Sequence, residues 1–146
     1  MERIEDCISF LINKAAQGVA KRTRETLSSF NVTPAQYAVL WVLWEREGLS
    51  AADIAARLRL DSATTTGLID RLESAGFVER RCHPSDRRVY CLHPTSEGLA
   101  LQAPLESAMD ELNDSIASEL GSDTAILWEA LAKIGNIQTS PQNSDI

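Results

Sequence analysis

The sequence lacks any apolar run long enough to cross a bilayer: the longest, Tyr37 to Trp44, is eight residues, against the roughly 20 that a spanning helix needs. No membrane partner is therefore expected. The start, Met1-Glu2-Arg3-Ile4-Glu5-Asp6, has neither the basic opening nor the apolar stretch of a secretory leader. Three cysteines, Cys7, Cys82 and Cys91, form no even disulfide framework, so the reading is a reducing, cytoplasmic setting. There is no Gly-rich phosphate loop, no His-Glu-x-x-His pattern and no nucleophile elbow, and the only histidines, His83 and His93, fall in one short stretch. Catalysis is disfavoured on those grounds, and no cofactor is expected. Positive charge is also short: 14 Lys plus Arg against 21 Asp plus Glu leave a net −7. A surface coated with non-specific nucleic-acid contacts does not fit that balance.

What is present suits one globular unit: 146 residues, 44% hydrophobic and 24% charged. Ile4, Ile8, Leu11, Ile12, Ala15 and Val19 recur at helical spacing over residues 4 to 29 with no proline, which predicts one long amphipathic helix. Thr33-Pro34-Ala35-Gln36 is a capping box with proline at the first helical position. The helix it opens is expected to bury Tyr37, Leu40, Trp41 and Trp44 and to stop at Gly48. Ser50 to Asp53 repeats the cap and opens a short helix through Leu58; Asp61 or Ser62 then caps another that ends at Gly76. Two short helices joined by a tight turn make a helix-turn-helix candidate.

Phe77 to Cys82 and Val89 to Leu92 read as short strands around the loop His83-Pro84-Ser85-Asp86-Arg87-Arg88. Thr95 or Ser96 starts a long helix that Pro104 should bend, Gly121-Ser122 breaks it, and Ile126, Leu127, Leu131 and Ile134 mark a last helix. The polar stretch 138–146 reads as a disordered tail. The predicted fold is mainly α with a small β-hairpin wing: a winged helix-turn-helix flanked by N- and C-terminal helices.

Such an arrangement reads DNA geometrically. A helix with short polar side chains at its start enters the major groove, while a basic hairpin reaches the narrow groove beside it. Ser62, Thr64, Thr65 and Thr66 are such side chains, and three consecutive threonines are poor helix formers that need a reason to face solvent. The competing reading is a helix start rich in capping residues. Arg71, further along, can reach a base or phosphate, whereas Asp70 would repel the duplex and is read as structural. Arg80, Arg81 and Arg87 are either phosphate contacts or solvated charges.

The run Asp86-Arg87-Arg88-Val89-Tyr90-Cys91-Leu92-His93-Pro94-Thr95-Ser96-Glu97-Gly98 resembles the wing of the MarR family of bacterial transcription regulators, which has Asp, any residue, Arg, then Leu-Thr and Gly. Pro94 stands where Leu is usual. The resemblance covers nearly the whole chain and implies one domain over 1–137, with 31–94 reading DNA and 1–30 and 95–137 forming dimerisation helices. It implies that Arg88 enters the minor groove and that Asp86 orients its guanidinium, which suits the enhanced negative potential of a narrow groove. The implied partners are double-stranded, pseudo-palindromic operator DNA, a second copy in a homodimer, and a small aromatic or phenolic effector whose binding releases the DNA. Phe10, Lys14, Tyr37, Trp41 and Trp44 are the candidate lining for that effector.

Some relatives in this family sense hydroperoxides through a first-helix cysteine, and Cys7 lies in that region, although no tyrosine lies between it and Phe30 to support a thiolate. Cys82, His83, Cys91 and His93 invite a metal or disulfide reading. Strand alternation sends neighbours 82 and 83 to opposite faces, so no metal site is expected. The remaining rival is a winged helix that binds protein and not DNA, which the acidic balance permits. Charge divides along the chain, however: residues 57 to 88 hold seven arginines against five acids, a net +2, leaving −9 elsewhere. Every base in that segment is arginine, the side chain suited to forked phosphate and guanine contacts.

Overall fold

The computed structural model describes residues 3–85 and 88–137. It forms seven helices and one hairpin among those residues: α1 (Ile8–Ser28), α2 (Pro34–Glu45), α3 (Ala51–Leu58), α4 (Ser62–Ser74), β1 (Val78–Cys82), β2 (Tyr90–Pro94), α5 (Ser96–Ala100), α6 (Gln102–Leu120) and α7 (Thr124–Gly135). Two compact units emerge, Met1–Asp110 and Glu111–Ile146.

In the first unit the expected helix over 4 to 29 is interrupted near its start. Ile4–Asp6 is a separate 3-10 turn, closed where the Asp6 carboxylate accepts from the Arg3 amide at 3.2 Å, and Cys7 is extended, so α1 begins at Ile8. Thr33 caps α2 as its sequence demands: its hydroxyl accepts from the Gln36 amide at 3.3 Å, and the Gln36 side chain accepts from the Thr33 amide at 2.9 Å. The face that α2 buries differs from the expected stripe. Val39, Leu40, Val42 and Leu43 are fully inside, while Trp41 is 37% exposed and Tyr37 and Trp44 are half-buried. An eight-residue apolar run is hydrophobic all round, so spacing alone cannot choose its inner face.

Ser50 and Asp53 form the reciprocal cap of α3. Arg59 ends that helix in the left-handed region (φ 53°) and turns the chain into α4. Asp61, not Ser62, is the cap of α4, accepting from the Thr64 amide at 2.8 Å. Ile54 on α3 and Leu68, Ile69 and Leu72 on α4 join Leu27, Leu40 and Leu43 in one core, which fixes the two short helices against α2.

β1 and β2 pair antiparallel, with Val78 opposite Pro94 and Cys82 opposite Tyr90. Leu49 adds one bridge to Leu92, so the hairpin base is tied to the α2–α3 connection. Thr95 settles the helix start that the sequence left between it and Ser96: its hydroxyl accepts from the Gly98 amide at 3.1 Å and donates to the Gly76 carbonyl. The expected long, bent helix is instead two helices, α5 and α6, parted at Leu101. Pro104 has no amide to give, and it sits in the first turn of α6, where none is needed.

In the second unit, the end of α6 leads to a 3-10 turn at Gly121–Asp123, with Gly121 at φ 56°, and then to α7. The Thr124 hydroxyl donates toward the Ala117 and Gly121 carbonyls, at 3.0 and 2.8 Å, and ties that turn down. The predicted tail lies outside the described residues.

Candidate nucleic-acid interface

α4 presents its first turn to solvent. Ser62, Thr64 and Thr66 are exposed, as is Arg71 two turns on. The Thr64 hydroxyl donates to the Asp61 carboxylate at 2.6 Å, and the Asp61 carboxyl is held below its ordinary value by that bond and the Thr64 amide. Thr65 departs from the expected cluster. It is 1% exposed, and its hydroxyl donates to the Asp61 carbonyl at 2.9 Å, so it packs under the helix instead of facing a groove. Positions one apart on a helix lie on different faces, so a run of threonines cannot all point the same way.

Beside α4, the hairpin carries the arginines. Arg88 is exposed in the turn before β2, next to the exposed Val89 and Tyr90. Asp86 and Arg87 lie outside the described residues. Arg80 is held by two acids on α4, Asp70 and Glu73, which hydrogen-bond its guanidinium. Asp70 is the main reason the guanidinium holds its proton more tightly than usual. Arg81 instead folds onto Glu79 of its own strand. The sequence marks Asp70 as structural but does not pair it, and no motif in it singles out Glu73. The available signal was two carboxylates three residues apart on one helix face, followed by a strand rich in arginine.

The other candidates occupy separate places. Lys14 lies over the Phe10 ring at 5.6 Å, both on α1. Tyr37, Trp41 and Trp44 form an aromatic cluster with centroids 5.8 to 6.3 Å apart, Trp44 edge-on to the other two and Tyr37 tilted against Trp41. Burial, with Asp110 and Glu106 nearby, pushes the Tyr37 phenol up to about 12. Trp44 is a structural member of that group, because its indole donates to the Gly98 carbonyl at 3.1 Å. Cys7 precedes α1 with its sulfur 3.0 Å from the Ser9 hydroxyl, and that contact, with the Phe10 and Ser9 amides, lowers its thiol from the ordinary value.

His83 bonds Ser85 and His93 bonds Glu47, in different parts of the hairpin. Cys82 is exposed and Cys91 buried, and the register sets Cys91 opposite Arg81. Among the described residues no three His, Cys, Asp or Glu side chains are grouped to hold a metal, and no helix is long and apolar enough to cross a membrane.

Comparison with known proteins agrees with this geometry. Residues 32–90 match the model of the MarR family. The HTH-type transcriptional regulator TtmR of Methylorubrum extorquens is 36% identical over 72% of this chain, which spans 54% of that relative. The HTH-type regulator YsmB of Bacillus subtilis is 30% identical over 92% of each chain, and the organic hydroperoxide resistance regulator of the same species is 31% identical over 74% of this chain and 71% of its own. Among solved structures, the repressor CouR bound to a 23-mer DNA duplex superposes with a TM-score of 0.86 at 27% identity, covering 92% of this chain and 96% of that one. CouR from Rhodococcus jostii bound to p-coumaroyl-CoA superposes at 0.79 and 27% identity, over 96% and 99%. These relatives are transcriptional regulators, not enzymes.

Proposed function

The chain belongs to the MarR family of DNA-binding transcriptional regulators, and on that premise we propose that it is a homodimeric repressor of a pseudo-palindromic operator, released by a small aromatic or phenolic effector. The observation that carries the DNA reading is α4 offering exposed Ser62, Thr64, Thr66 and Arg71 beside a hairpin turn with exposed Arg88. The first set suits base edges in the major groove, with threonine methyls against thymine methyls, and Arg88 suits the adjacent minor groove. Segment 31–94 is the reading part, and 1–30 and 95–137 are the dimerisation helices. In support, α1 exposes Ile8, Leu11 and Val19, and α7 exposes Ile126, Leu131 and Ile134; rows of large apolar side chains mark a surface that a partner covers. CouR, in its two structures, is a repressor seen with DNA and with an aromatic thioester, which supports the effector class.

Titration of the DNA upstream of the chain's own gene, followed by fluorescence anisotropy, tests this. Wild type is expected to bind with an affinity that falls steeply with salt, and Arg88→Ala to weaken it by about 1–3 kcal/mol. No binding at low salt overturns the DNA reading in favour of a protein-binding winged helix. A 16.0 kDa species in size-exclusion chromatography at micromolar concentration overturns the dimer.

A second reading is a thiol switch at Cys7. Its support is the lowered thiol and the half-exposed position before α1, together with the hydroperoxide-resistance relative. If Cys7→Ser still releases DNA on peroxide treatment as wild type does, this reading falls.

A further inference from the structure

Where the backbone must turn left-handed, this chain mostly places residues that tolerate it. Among the described residues, Gly48, Gly76 and Gly121 have positive φ, and so do Asn31 and Asn136. Glycine has no Cβ to clash there, and asparagine is several-fold enriched there. Arg59, at φ 53° and ψ 44°, is the exception. Its Cβ makes that conformation a strained one, and an exposed arginine at such a position is the kind of outlier from which function is inferred.

The end of α3 leaves the backbone no other course. The Leu60 amide donates to the Ala55 carbonyl at 2.9 Å and the Arg59 amide to the Ala56 carbonyl at 3.3 Å. That pair of bonds closes a helix through one left-handed residue, a place that glycine most often fills. Leu58 and Leu60 pack against the core on either side, so both flanks are fixed, and Arg59 between them is exposed. Asp61, the cap of α4, follows two residues later, a span of at most about 7 Å of chain. Ser62, Thr64 and Thr66 then form the exposed polar start of α4. Arg59 therefore stands at the corner from which that start leaves.

A helix start that enters the major groove passes between two rows of phosphates. Asp61 adds a carboxylate to the same corner, its oxygens accepting from the Thr64 amide and hydroxyl. A cation there offsets both. The arginines of β1 are poorly suited to the task, because Arg80 is bonded by Asp70 and Glu73, and Arg81 by Glu79. We propose that Arg59 is a DNA-backbone contact, its guanidinium donating to a phosphate oxygen at the edge of the groove that α4 enters. Such a contact fixes the depth and register of α4 without reading a base. The proposal rests on the DNA reading above and adds to it a residue at the helix-turn-helix corner, kept there although it strains the turn.

Fluorescence anisotropy of the full chain, with the DNA upstream of its own gene and with a scrambled duplex over a salt series, tests this beside thermal melting. Arg59→Gly relieves the strained turn and is expected to raise the melting midpoint by about 2 °C or more. The same variant should nevertheless bind both duplexes at least fivefold more weakly and lower the slope of log affinity against log salt by about 0.9 per protomer. A gain of stability does not come from a misfolded variant. Arg59→Lys, which keeps the charge but not the fork, is expected to keep the slope and to lose less affinity than Arg59→Gly. Higher melting with unchanged affinity and slope overturns the contact and leaves the DNA reading standing. A lower melting midpoint for Arg59→Gly means that the fold itself holds the arginine, and overturns the proposal too. Loss confined to the upstream DNA with an unchanged slope makes Arg59 a base reader and overturns the phosphate assignment. Wild type that binds neither duplex at low salt overturns the DNA reading, and this contact with it.

Discussion

Arg80 of β1 is bonded to Asp70 of α4, ten residues earlier in the chain, and its second guanidinium nitrogen is taken by Glu73. The hairpin is thus attached to the helix beside it by a forked arginine between two carboxylates, with the arginine side chain 32% exposed. An arginine so engaged ties together the two elements proposed to read DNA and is poorly placed to donate to phosphate.

This makes the effect of charge removal unusual. Arg80→Ala should weaken operator binding while leaving the slope of log affinity against log salt unchanged; a lost phosphate contact would lower that slope by about 0.9. Asp70→Asn with Glu73→Gln should weaken binding as well, although it removes two negative charges near the duplex. Tighter binding by that double variant would mean that Arg80 contacts DNA itself.

Gly98 is required for room. A Cβ there would overlap the Phe77 carbonyl oxygen, and the Gly98 carbonyl accepts from the Trp44 indole. Backbone cannot yield as a flexible side chain does, so Gly98→Ala should cost more than about 2 kcal/mol. Thermal melting followed by circular dichroism should show a midpoint lower by roughly 5 °C or more.

The threonines of α4 should separate by face. Thr65→Val removes the hydroxyl that donates to the Asp61 carbonyl, which keeps only the Thr65 amide, and should lower stability by about 1 kcal/mol, with operator affinity of the folded protein unchanged. Thr66→Ala is expected to do the reverse: unchanged melting, and affinity down by roughly fivefold at sites with a thymine opposite it. Chemical denaturation paired with anisotropy distinguishes the two.

Acid should act on the helix starts. Asp53 and Asp61 are held below their ordinary values, mainly by the Ser50 and Thr64 side chains. A carboxyl depressed in the folded state contributes stability that is present above the unfolded value, about 3.9, and is lost as pH falls through the folded one. Denaturation midpoints should therefore drop below about pH 4. Asp61→Asn, which keeps N-cap ability, with Asp53→Asn, whose amide oxygen can still accept from the Ser50 amide, should flatten that acid limb.

How far the sequence reaches depends on the range of the interaction. Thr33 with Gln36 and Ser50 with Asp53 bond three residues apart, so their caps are readable from local spacing. The hairpin follows from turn residues in the same way. Cys82 against Cys91 shows the limit: the loop suggests that they face each other, but the observed register offsets them by one, and a slip of one residue exchanges the faces of a strand. The aromatic trio Tyr37, Trp41 and Trp44 is visible as a pattern. That Trp44 is tied to Gly98 while Trp41 faces a cleft with Arg57 depends on contacts between distant elements.

The caps at Thr33, Ser50 and Asp61, the apolar spacing of the helices they open and the turn residues of the loop 83–88, in a composition rich in arginine over 57 to 88, determined by themselves that the chain is a helix-turn-helix with a wing. Those features act through composition, period and caps, which need no knowledge of neighbours. Tertiary structure alone decided which threonine is buried, which arginine is bound by acids and which aromatic lines a cleft. Each of those outcomes depends on what packs against the residue, and packing partners tens of positions away leave no mark on local spacing.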